Sequence, residues 1–171
     1  MPKGDGNRLL VLPNDDQPYL MRRVDVPNPA GLGPVTVDID IHRGIWITGR
    51  ITDKVTGEPV GGARVYYLPF RSNKFAQALP EFDDNGNVEG DQMRYQSKAD
   101  GTYRLVGLPG RAVIGAESIY KQYRKGVGYD SIDAPKYRDT DYLDTYQNPI
   151  YPSPNWPNLM AEINPSTTQS R

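Results

Sequence analysis

A chain of 171 residues is long enough for one domain with a real core, or for one domain and the edges of a neighbour. Its net charge of -1 leaves no basic surplus for a phosphate lattice or an anionic membrane surface, so neither is expected as a partner. The absence of cysteine removes disulfides, thiolate metal sites and cysteine nucleophiles, and a single histidine, His42, excludes a multi-histidine zinc centre. Seventeen glycines and 16 prolines argue for short strands and many turns, which makes all-β the expected class. No run of about twenty apolar residues exists, so no membrane span is expected. The apolar run at residues 9–12 is too short for a signal-peptide core, which places any export signal outside this chain.

Taken in chain order, the first expected strand covers residues 35–42. There Val35, Val37, Ile39 and Ile41 alternate with Thr36, Asp38, Asp40 and His42. A second alternation puts Ile45, Ile47 and Ile51 on one face and Trp46, Thr48, Arg50 and Thr52 on the other, with Gly49 where a neighbour approaches closely. Residues 53–60 hold the Asp, Gly and Pro of a turn. A strand over 62–68 follows, its Ala63, Val65 and Tyr67 sharing a face. Residues 69–92 read as a long loop with a helical turn near 74–79, and residues 93–97 as a short strand. Ala99-Asp100-Gly101 turns the chain into a strand at 102–106, and Leu108-Pro109-Gly110 turns it again into 112–118. From residue 120 to 151 the chain carries seven of its twelve tyrosines and is expected to be an extended excursion.

The run Ile47-Thr-Gly-Arg-Ile-Thr-Asp-Lys-Val-Thr-Gly-Glu-Pro-Val-Gly-Gly-Ala-Arg-Val65, followed by Ala99-Asp-Gly-Thr-Tyr-Arg-Leu-Val-Gly-Leu-Pro-Gly110, resembles the carboxypeptidase regulatory-like (transthyretin-like) domain family. The resemblance covers residues 45–118. It implies an immunoglobulin-like or prealbumin-like seven-stranded Greek-key sandwich with long loops, without catalytic residues, like the modules that accompany catalytic domains or stand in tandem on bacterial surfaces. The expected organisation is an N-terminal segment at 1–43 ending a preceding repeat, a sandwich core at 44–120, and at 121–171 a Tyr/Pro-rich extension or long excursion of the same domain. Gly6-Asn-Arg-Leu-Leu-Val-Leu-Pro13 parallels Gly101-Thr-Tyr-Arg-Leu-Val-Gly-Leu-Pro109, which suggests the repeat; the alternative is that residues 35–41 complete the single sandwich.

On this reading the chain is a non-enzymatic structural or interaction module of a larger bacterial extracellular or cell-envelope protein, its partners the neighbouring domains of the same polypeptide. The alternative is a carbohydrate-binding module, because planar aromatics stack on pyranose rings while nearby polar groups bind hydroxyls; Trp46, Tyr66, Tyr120 and Tyr123 are its candidates and a polysaccharide its partner. Calcium is the one cofactor considered. Asp83, Asp84, Asn85 and Glu89 supply oxygens for an irregular site, although the sixth position from Asp83 is Val88 rather than the glycine a twelve-residue calcium loop needs. Asp38 and Asp40, about 7 Å apart along one strand face, read as a solvated pair neutralised by Arg50 rather than an acid and base. Ser118-Ile-Tyr-Lys121 matches a Ser-x-x-Lys motif without the companion motifs of that chemistry.

Overall fold

A computed structural model describes residues 4–31, 33–70, 72–79, 95–118, 123–128 and 158–166. The elements are β1 (Arg8–Val11), β2 (Arg22–Asp25), β3 (Ile45–Arg50), β4 (Arg64–Pro69), α1 (Lys74–Gln77), β5 (Thr102–Gly107), β6 (Ala112–Glu117) and β7 (Leu159–Ile163). All ladders are antiparallel: β1 with β2, β3 with β5, and a three-stranded sheet in the order β4-β6-β7. The all-β expectation holds.

The β3–β5 ladder and the β4-β6-β7 sheet share one core. Ile47 and Leu105 from the first meet Val65, Tyr67, Ala112 and Ile114 from the second, with Leu108 and Ala76 closing the cluster. Residues two apart point to the same face of a strand. The alternation read from the sequence therefore put Ile45 and Ile47 inward correctly, and Val65 and Tyr67 likewise. On β4 and β6 the opposite face is buried too, with Tyr66, Leu68 and Val113 at 5%, 3% and 0% exposure. That explains why both strands are almost continuously apolar instead of alternating.

Chain order weaves between the two layers. β3 passes to β4 through a turn in which Asp53 Oδ1 accepts from the amides of Val55 and Thr56 at 2.8 and 3.0 Å, and Gly57 closes the turn at φ 76°. This is the Asx geometry expected at 53–60. β5 returns to β6 through residues 108–111, where Gly110 takes φ 90°. The helical turn expected near residue 74 is α1, capped by Asn73.

Two expectations differ from the structure. Residues 35–42 form no ladder with any described segment; their burial alternates between half-buried and exposed as the sequence pattern requires, but main-chain pairing begins only at the Tyr19↔Arg43 bridge. Apolar period sets which way side chains point, and it does not supply a neighbouring strand. Among the described residues, 35–41 add no strand to any sheet. Arg50 does not neutralise Asp38 and Asp40: its Nε donates to the carbonyl of Asp100 at 3.0 Å, while Arg22 donates to the carbonyl of Asp40. Within the stretch expected to be an extension or a long excursion of the same domain, β7 pairs along β6 from Ala112↔Ile163 to Ala116↔Leu159 and so belongs to the core sheet.

Buried polar side chains fasten segments remote in sequence. Ser97, 5% exposed, donates to the carbonyl of Val60 at 2.7 Å and accepts from the amide of Ala63 at 3.0 Å. Asn158, 8% exposed, accepts from the amide of Ser118 at 2.9 Å and donates to the carbonyl of Tyr123 at 3.0 Å. Each satisfies main-chain groups that a turn would otherwise strand away from water.

Candidate functional site

The outward face of the β3–β5 ladder builds a broad concave surface. The strand period sends Trp46, Thr48 and Arg50 outward from β3, and the register sets Val106, Arg104 and Thr102 opposite them in turn. The Asp100-Gly101 turn fixes that register: Gly101 sits at φ 79° and its carbonyl receives the Ile51 amide at 2.9 Å. Across the face, the Arg104 guanidinium lies 4.2 Å over the Trp46 ring, a cation–π contact, and donates to the carbonyl of Asp15 at 2.7 Å. That bond draws the loop at residues 14–17 over the strands and encloses a cavity of about 660 Å³, also lined by Gln17, Gln96 and Lys98.

Tyr103, from the inward face of β5, reaches the rim of this cavity by lying over Gly49. A Cβ at Gly49 would run into the Tyr103 ring, which is the close approach expected of that glycine. Burial pushes the Tyr103 hydroxyl pKa up, so the phenol stays neutral and apolar-facing through the physiological range. In the turn leading into β5, Asp100 is held below the ordinary carboxylate value of 3.8, first by the Thr102 hydroxyl at 2.6 Å and then by the Thr102 amide at 2.9 Å, with Lys98 and Arg50 adding positive charge. The groove thus offers one large ring, hydroxyl and amide groups, and the cations of Arg104 and Lys98.

The sequence candidates scatter. Trp46 is on this face, half-buried beneath Arg104. Tyr66 is on the other sheet and buried, its hydroxyl donating to Glu117 Oε2 at 3.1 Å, so its ring is closed to a stacking sugar. Two-sided burial of β4 is a tertiary effect that local sequence does not announce. Burial, and next the Glu117 charge, raise the Tyr66 pKa. Tyr123 lies far along the chain beside the β3–β4 turn, in contact with a different cavity. Tyr120 and the calcium candidates Asp83, Asp84, Asn85 and Glu89 fall outside the described residues. Among the described residues no three His, Asp or Glu side chains gather as a metal site, and His42 joins no such group. Arg104 was missed: its outward direction is legible from β5, but its stacking on Trp46 depends on strand register.

Compared with protein families, curated proteins and solved structures, the chain matches none of them.

Proposed function

We propose that this chain is a non-catalytic structural or interaction module of a larger bacterial extracellular or cell-envelope protein, an immunoglobulin-like or prealbumin-like sandwich of the carboxypeptidase regulatory-like kind. The observation that supports it is the position of the motif residues. Asp53, Gly57 and Pro59 turn the chain from β3 toward β4, Asp100 and Gly101 lead into β5, and Leu108 to Gly110 carry β5 into β6. Those residues are spent on joining two stacked layers, which suits a rigid spacer between neighbouring domains. The first test is thermal melting of the purified chain with calcium and a panel of soluble glycans. One cooperative transition that no additive moves is the expected result; a chain that melts without a cooperative transition would remove the module from consideration.

The groove at Trp46 favours a second reading, carbohydrate binding. A pyranose ring stacks on an indole face, and the surrounding Thr48, Gln96, Lys98 and Arg104 offer hydroxyl partners. Because Arg104 covers the ring at 4.2 Å, a sugar reaches Trp46 by sharing or displacing that cation. An upward shift of the melt with one glycan, abolished by Trp46→Ala, would select this reading over the purely structural one; a ligand at a hundred times its dissociation constant adds about 2.7 kcal/mol.

A further inference from the structure

A separate cavity of about 280 Å³ opens between the β3–β4 turn and the β6–β7 edge of the larger sheet. Its wall is aliphatic, built by Ile51, Val60, Ala63, Ala116, Val127 and Leu159. It runs from core to solvent: Ala63 is 1% and Ala116 4% exposed, while Leu159 and Val127 at the mouth are 40% and 41% exposed. The two alanines keep the space open where leucine-sized side chains would fill it. Roughly twice the cavity of about 150 Å³ that takes one benzene, it suits a flexible chain of about ten carbons.

Charge at the mouth is positive on balance, two cations against the Asp53 carboxylate that lines the same opening. Lys54 and Arg124 line the opening and are exposed, and neither makes an ion pair among the described residues. The nearby acids are engaged: Asp53 Oδ1 accepts from two amides of its own turn, and Glu117 holds Lys125 at 2.7 Å. A largely aliphatic box with two unpaired cations at its mouth complements an alkyl chain ending in an anion. An extended peptide fits less well, because the strand edge beside the cavity is taken. Val127 donates to the carbonyl of Asn158 at 3.0 Å and accepts from the amide of Met160 at 2.8 Å, leaving a peptide no main-chain ladder there.

We propose that this cavity binds a medium-chain alkyl carboxylate, with its chain against Ala63 and Ala116 and its headgroup at Lys54 and Arg124. The test is isothermal titration calorimetry of the whole chain at low salt with sodium decanoate, each amphiphile kept below its micelle concentration. Decanoate is expected to bind one to one and about tenfold more tightly than decyltrimethylammonium. The double variant Lys54→Ala, Arg124→Ala changes only exposed side chains, and it is expected to lose roughly three- to tenfold for decanoate, the size of two exposed ion pairs, while erasing the preference over the cation. Leu159→Trp at the mouth and Ala116→Leu in the wall are expected to block both amphiphiles, each variant first shown to melt cooperatively. Absence of decanoate binding, equal affinity for the two amphiphiles, or a double variant that keeps the preference overturns the proposal. Tighter binding of an apolar peptide with a free C-terminal carboxylate overturns it in favour of a protein partner.

Discussion

Tyr67 carries a hydroxyl into the core and uses it twice, donating to the carbonyl of Leu108 and accepting from its amide, both at 3.0 Å. Burial drives the Tyr67 pKa far up, so the group acts only as a neutral clasp between β4 and the start of the β5–β6 turn. Tyr67→Phe keeps the ring and leaves two buried main-chain groups unpaired, with an expected cost of about 1–3 kcal/mol. Urea titration checks it: the midpoint should fall at constant slope, whereas Tyr103→Phe, which breaks no hydrogen bond among the described residues, should barely move it. Asp53 and Asp100 give the acid limb. The Thr56 and Val55 amides lower the first, and the Thr102 hydroxyl and amide lower the second, from an ordinary 3.8. With the folded pKa below the unfolded one, their stabilisation is present above about pH 4 and is lost as pH falls through the folded values. Both carboxylates are solvent-exposed, so the effect is small. Urea midpoints measured from pH 7 down to 2 should decline on the acid side, and Asp100→Asn, which keeps the acceptor oxygen, should flatten part of that decline; a midpoint rising with acid would contradict the assignment.

At the scale of elements, β3 was legible from its alternation of period two, and β4, β5 and β6 chiefly from the turn residues that bound them at 53–60, 99–101 and 108–110. β7 offered neither, since only Met160 of its five side chains is buried and it is read as strand only through its pairing with β6. The β1–β2 hairpin is similar. Leu9 and Leu10 are 38% and 40% exposed, and an Arg8–Asp25 ion pair at 2.8 Å ties its ends. At the candidate groove Trp46 was legible as an outward ring, while the Arg104 contact required the register and Tyr66 was hidden by two-sided burial. A four-residue helix is too short to stand by propensity, so α1 depends on its cap. Asn73 Oδ1 accepts from the Phe75 amide at 2.9 Å, and its Nδ2 donates to the carbonyls of Pro109 and Arg111 at 2.8 and 3.1 Å. Asn73→Ala removes the cap and strands the Pro109 carbonyl, while the Arg111 carbonyl keeps the Phe70 amide at 3.2 Å, an expected loss of about 2–4 kcal/mol. Asn73→Asp retains the cap oxygen but turns an acceptor toward two carbonyls. If thermal melts show it as stable as the wild type, the cap alone matters and the tie to the β5–β6 turn does not.

For the whole molecule, the question is whether the core shared by the two sheets survives without β7. β6 is the central strand of its sheet, bonded to β4 on one edge and β7 on the other. Removing the chain from residue 158 onward frees the edge of β6 along Ala112 to Ala116, exposes the surface that Met160 covers at 2% exposure, and deletes Asn158, which ties Ser118 to the 123–124 segment. Burial of one methionine contributes about 1.5–3 kcal/mol and the lost buried hydrogen bonds about as much again. Together they approach the 5–15 kcal/mol that holds a typical domain folded. A bare, apolar central strand is also a template for pairing with another copy. The truncated chain is therefore expected to lose its cooperative melt by circular dichroism and to elute as aggregate in gel filtration. A truncated chain that stays monomeric and melts within a few degrees of the full one would place the stability of the fold in the residues before 158, with β7 an ornament on a sheet already complete.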